Sequence, residues 1–214
     1  MKNLLILLLS LFILSCSSQQ VKKASQEKNP KKDLSKLSSA TFASGCFWCM
    51  EAVFESVKGV EEAVSGYAGG KEPNPTYEQV GAHETGHAES VEVYYDSSIV
   101  SYATLLKVYF ASQDPTQLNG QGPDHGAPYR SIIFYRNANE KMQAEKYKAE
   151  IQKKFSEPIA AQIVPFEKFW PAEDYHQDYI AHNPDVPYVQ GESIPRIKRF
   201  QKQYPELIKP DHKF

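Results

Sequence analysis

Only three cysteines stand in the 214 residues, at positions 16, 46 and 49. A secreted disulfide scaffold needs more, at wider separations, so that class is excluded. Long apolar runs are missing too. The N-terminal run, Leu4 to Leu14, spans 11 residues and is broken by Ser10, whereas a membrane-spanning helix needs about 20. Charge of one sign is not in excess: the formal net charge is −2 with both signs mixed, so no nucleic-acid footprint is present. There is no internal repeat, and no low-complexity stretch beyond Ser17 to Ser39. That stretch is rich in Ser, Lys and Gln and has no aromatic residue. It cannot bury enough surface to fold, so it reads as a flexible tether. Its lysines would touch anionic headgroups only weakly.

What is present divides the chain in three. Lys2 and the apolar run form a signal-like segment over residues 1–15. Ile13-Leu14-Ser15-Cys16 resembles a bacterial lipobox, in which the cysteine is lipidated and becomes the mature N-terminus. Residues 16–39 are then the tether. Residues 40–214 hold both tryptophans and nearly all other aromatics, enough chain for one domain with a sizeable core.

Within that domain strand and helix patterns interleave. Strands are expected over Ala40 to Ser44, Val60 to Ala68, Ala88 to Tyr95, Ser131 to Tyr135 and Ala161 to Val164. In the third, Val91, Val93 and Tyr95 share a face. Phe47, Met50, Val53, Phe54 and Val57 recur at helical spacing, so a helix is expected from Phe47 to Val57, ended by Gly59. Further helices are expected over Ser101 to Ser112, Ala138 to Phe155 and Glu173 to His182. Gly120 to Pro128, with three glycines and two prolines, reads as a loop. The pattern predicts a layered α/β or α+β domain, without fixing the sheet order.

The densest chemical signal is Gly45-Cys46-Phe47-Trp48-Cys49. Gly45 permits a sharp turn. Cys46 then starts a helix, where unpaired N–H groups and the helix dipole favour a thiolate. Cys49 lies one turn on, within reach of a disulfide. Cys46 can attack and be oxidised, and Cys49 can resolve it. Packed core cysteines and half a zinc site are the alternatives, although no second ligand pair is suitably spaced.

Gly45-Cys46-Phe47-Trp48 resembles the signature of the A-class peptide methionine sulfoxide reductases. Thr85-Gly86-His87-Ala88-Glu89, Asp114-Pro115-Thr116-Gln117, Gln121-Gly122-Pro123-Asp124, Tyr129-Arg130-Ser131 and Pro171 to Tyr179 resemble that family's motifs in the family's order. The resemblance covers about Ala40 to Pro187. It implies a split β-α-β, ferredoxin-like core with extra helices and long loops, within the α+β class. It also implies roles. Cys46 would be the nucleophile. Phe47 and Trp48 would receive the substrate methyl group, and Glu89 would protonate the sulfoxide oxygen. Tyr77, Asp124 and Tyr129 would position substrate and water. The implied reaction reduces the S epimer of methionine sulfoxide, free or in oxidised proteins. No metal or organic cofactor is implied, only an external thioredoxin-like dithiol. Many members of the family keep resolving cysteines near the C-terminus. Residues 191–214 contain none, which moves the resolving role to Cys49.

The chemistry asks for these residue types independently. A sulfoxide oxygen leaves poorly unless protonated, so an acid must sit beside it. A carboxyl that keeps its proton near neutral pH must be partly desolvated, and aromatic walls supply that. Three other signals compete. His83-Glu84-Thr85-Gly86-His87 matches the zinc-protease pattern, but that chemistry needs a helix and glycines bracket the segment. A general disulfide oxidoreductase would want smaller residues than Phe47 and Trp48 between its cysteines. A ligand-binding surface lipoprotein would suit the many tyrosines but leaves Cys46, Cys49 and Glu89 unexplained.

Overall fold

The computed structural model describes residues 33–212. The signal-like segment, Cys16 and the tether as far as residue 32 lie outside them. The folded unit begins at Leu34 rather than Ala40. A short 3-10 turn, Leu34–Lys36, leads into the first strand, β1, Ser38–Ala43. Ser38 and Ser39 pair with Tyr95 and Tyr94, so the last two residues assigned to the tether belong to the sheet. Backbone pairing, which residue composition does not reveal, decides this boundary.

Helix α1 is Phe47–Glu55, strand β2 Val60–Ala68, helix α2 Tyr77–Gly81, strand β3 Ala88–Tyr95 and helix α3 Tyr102–Ala111. A small hairpin follows, β4 Gly120–Gln121 with β5 Asp124–His125, inside the segment expected as plain loop. Strand β6 is Ile132–Tyr135, helix α4 Ala138–Gln152, strand β7 Gln162–Pro165 and strand β8 Phe169–Pro171. Helix α5, Tyr179–His182, and helix α6, Ile194–Gln203, complete the main elements.

The main sheet has the order β7-β6-β1-β3-β2-β8. β3 is antiparallel to both β1 and β2, so β1 and β2 run parallel with β3 between them. β6 flanks β1 antiparallel. This is the expected split β-α-β, ferredoxin-like core, extended at its edges by β7 and β8.

The core follows strand alternation. Ala40 and Phe42 of β1, and Val91, Val93 and Tyr95 of β3, face the large cluster under α1 and α3. Phe42 stacks on Phe54 of α1 at 5.2 Å and on Tyr109 of α3 at 5.4 Å. Ala43, Ala88, Ile132 and Phe134 face the other side, against Val164, Phe166 and Phe169. The same alternation places Glu89 on the α1 side, at the end of β3 paired with Tyr67. An acidic residue is thereby continued into an apolar stripe. Helix α4 buries only Ala144, as its charged sequence predicts.

The expected helix from Glu173 to His182 is broken. A 3-10 turn, Asp174–His176, gives way to extended Gln177 and left-handed Asp178 (φ 53°) before α5 begins. Tertiary bonds override the helical preference. The Ser65 amide donates to the Gln177 side-chain oxygen at 3.0 Å, and Gln177 Nε2 donates to the Ser65 and Ala172 carbonyls. A capping box of Thr76 and Gln79 starts α2.

Candidate active site

Gly45 turns the chain with φ +67°, and a Cβ there would meet Gln121 Cβ at 2.5 Å. Its amide donates to the Tyr129 carbonyl at 3.1 Å. Cys46 then takes the N-cap position of α1, with no capping bond from its side chain. Both thiols are free and buried, and they hydrogen-bond to each other.

The thiolate expected at Cys46 from its helix position alone needs correcting. Burial pushes the Cys46 thiol well up, aided by the bond to Cys49 and the charges of Glu89 and Asp124. Desolvation is the largest of these influences. Cys49 moves the other way. The bond from Cys46 lowers it most, against burial, and the positive charge of Arg196 and the Ser193 hydroxyl add to that.

Glu89 is 3% exposed. The Phe47 amide donates to its Oε2 at 3.0 Å, which ties the carboxyl to the first turn of α1. Burial nevertheless raises it to about 8, with Asp124 and Cys49 pushing the same way. It therefore holds a proton at neutral pH. Tyr77 and Tyr129 lie within the field of Glu89, Cys46 and Asp124, and burial raises both phenols. Burial also raises Asp124, which accepts a 2.5 Å bond from the Tyr188 hydroxyl. All the residues expected around Cys46 are thus brought together.

The two aromatics differ in what they offer. Phe47 is fully buried, packed on Tyr67 at 5.9 Å, Tyr77 at 6.3 Å and His176 at 5.0 Å. Trp48 is half-buried and lies flat on Tyr179, centroids 3.7 Å apart and planes 7° apart. Its indole N–H donates to His176 Nδ1 at 3.0 Å. Burial lowers His176, which keeps that nitrogen an acceptor. Tyr188 meets Trp48 edge-on at 6.1 Å. Glu173 completes the wall, its carboxylate accepting from the Tyr77 amide and the Tyr67 hydroxyl.

Sequence reasoning missed several of these groups. His176 and Tyr179 lie in the Pro171 to Tyr179 motif, where the sequence pattern alone points to a helix and not to a role at the site. Tyr188, Ser193 and Arg196 had no local signal, because they reach the site from a distant stretch of chain. The zinc-like segment is also resolved. It is not helical, and left-handed His83 (φ 63°) packs on Gly126. His87 is buried, with Nδ1 accepting from the Gly70 amide and Nε2 2.9 Å from the Glu72 carbonyl. The two imidazoles do not share a face.

The arrangement joins a buried nucleophile, a second thiol, a protonated acid and an aromatic wall. Residues 38–208 match the family model described as Peptide methionine sulfoxide reductase. The chain is 46% identical over 170 residues to a peptide methionine sulfoxide reductase of Pasteurella multocida, covering 79% of this chain and 98% of that protein. Its fold is similar to reduced Mxr1 from Saccharomyces cerevisiae, with TM-score 0.68 and 34% identity over 74% of this chain and 92% of the other. A structure of Mxr1 in complex with Trx2 matches at TM-score 0.50 and 26% identity, over 71% and 91% of the two chains.

Proposed function

Since the chain belongs to the peptide methionine sulfoxide reductase family and is a thiol-dependent reductase of methionine sulfoxide, we propose how its residues divide the work. Cys46 attacks the sulfoxide sulfur as a thiolate while Glu89 gives its proton to the oxygen. The observation that carries this reading is Glu89 itself, buried under the first turn of α1 and protonated to about pH 8. Trp48, held flat by Tyr179 and His176, takes the methyl group. Tyr77, Tyr129 and Asp124 bond the oxygen and water. Methionine leaves and Cys46 becomes a sulfenic acid. Cys49 condenses with it, releasing water, and a thioredoxin-like dithiol reduces the disulfide. No metal or organic group takes part, and the S epimer is the substrate.

Reduced enzyme mixed with each separated epimer tests this. Methionine should form only from the S epimer, with a Cys46–Cys49 disulfide seen as a loss of about two mass units. Turnover of the R epimer, or full activity in Cys46→Ser, would sink the reading.

The N-terminal residues support a location. Cys16, one residue past the apolar run, suits lipidation, and a multi-chain lipid anchor holds far better than a single acyl chain. The domain then works at a membrane surface in the cell envelope, on oxidised envelope proteins, at the end of the tether.

A further inference from the structure

We infer that Ser193 and Arg196 are positioning residues for the resolving half of the cycle, holding the Cys49 sulfur ready to attack Cys46. This rests on the reading of Cys49 as the resolving thiol. Ser193 closes a π-helical turn, Val189–Ser193, that runs into α6. It is fully buried, and its Oγ lies 3.1 Å from Cys49 Sγ. At that distance the thiol donates to the hydroxyl, and the thiolate accepts from it.

Arg196, one turn further on, is 7% exposed. Its Nε donates to the Ser112 carbonyl at 2.5 Å, and Nη2 donates to the Ser44 carbonyl at 3.1 Å and Ser44 Oγ at 3.4 Å. These anchors lie at the end of α3 and just ahead of Gly45. All are neutral oxygens, and among the described residues no carboxylate bonds to this guanidinium. A buried cation is costly unless opposite charge stands near it. The Asp124 carboxyl lies in the field of Arg196, and a thiolate at Cys49 adds to that counter-charge. Both Arg196 and Ser193 shift the Cys49 thiol in that direction. The other groups facing Cys49 are Cys46 on its own helix, Asp124 of β5, Tyr188 before the π turn and Glu89 of β3. Asp124 opposes ionisation, so Arg196 and Ser193 are the counterweight.

The step balances. The Cys49 thiolate attacks Sγ of the Cys46 sulfenic acid and the S–S bond forms. The S–O bond breaks, and hydroxide takes a solvent proton to leave as water. Cys49 sulfur is oxidised and Cys46 sulfur reduced by one electron each.

The test follows methionine release and disulfide formation separately in the reduced full chain, by rapid mixing with methionine S-sulfoxide and an alkylating quench. In Ser193→Ala the disulfide should form about tenfold or more slowly relative to methionine release, as expected for a lost bond to a charged group. Its half-maximal pH should rise, and sulfenic acid should accumulate. Arg196→Met should raise that pH further, and Arg196→Lys should restore it. If Arg196→Met fails to fold, Ser193→Ala decides. Equal disulfide rates and pH profiles in Ser193→Ala and wild type would overturn this inference alone. A wild type that never links Cys46 to Cys49 would overturn the resolving reading and this inference together.

Discussion

Glu89, packed against α1, and Glu51, on α1 itself, are both buried carboxyls raised far above the usual range. Glu89 is 3% exposed and lifted to about 8; Glu51 is 2% exposed and lifted to about 9. Burial is the main cause for each, and each meets one backbone amide, of Phe47 and of Asp178 respectively. Their surroundings differ. Glu89 lies among Cys46, Tyr77 and Tyr129. Glu51 lies beside Glu55 and Asp178, under the turn that leads to Tyr179. A raised carboxyl is therefore not by itself a catalytic acid. Contact with a nucleophile and a pocket makes one, while the same physics elsewhere makes a structural neutral acid.

The largest expected effect separates the two directly. Glu89→Gln keeps the shape and the amide contact but removes the proton, so single-turnover methionine release should fall by about 10²–10⁴. Glu51→Gln should leave that rate within a few-fold, as an exchange of one neutral group for another. Equal losses in both variants would erase the distinction.

A smaller effect is a break in the pH profile of the first step. That step needs Cys46 as a thiolate and Glu89 with its proton, and the Cys46 thiol is raised well above Glu89 at about 8. The rate should therefore rise with pH up to about 8 and level off above it, where loss of the Glu89 proton offsets the gain in thiolate. Glu51→Gln should keep that break, and Glu89→Gln should lose it and go on rising past pH 8. A break that persists in Glu89→Gln would assign the proton to another group.

The smallest effect is on stability. Glu51 has a folded pKa above its unfolded value. Its contribution is therefore complete at low pH and is lost as pH rises toward about 9. Wild type should lose several degrees of Tm between about pH 5 and pH 9, since about 1 kcal/mol moves Tm by about 2–4 °C in a chain of this size. Glu51→Gln should lose fewer, measured by calorimetry, because Glu55 and Glu89 still titrate. Parallel curves would show that Glu51 is not held neutral in the fold.

Much of this was written in the sequence. Strand alternation in β3 and helical spacing in α1 are local periodicities, so Val91, Val93 and Tyr95 and the Phe47–Val57 stripe could be read directly. Gly45, Cys46 and Cys49 announced a turn, a helix start and a thiol pair within five residues, and Glu89 was legible through its motif. Other features depend on distant neighbours. Gln177 is extended because it bonds to Ser65 on β2, more than a hundred residues away, so the helix expected there breaks. Cys46 is raised rather than lowered because the fold seals it beside two acids, a desolvation that a helix start alone does not disclose. Tyr188, Ser193 and Arg196 are ordinary residues in their own stretch of chain and become part of the site only when the C-terminal turn closes over Cys49. Periodicity and short motifs are properties of neighbours along the chain. Burial and charge at a buried sulfur sum over everything packed around it, and only the tertiary structure decides that sum.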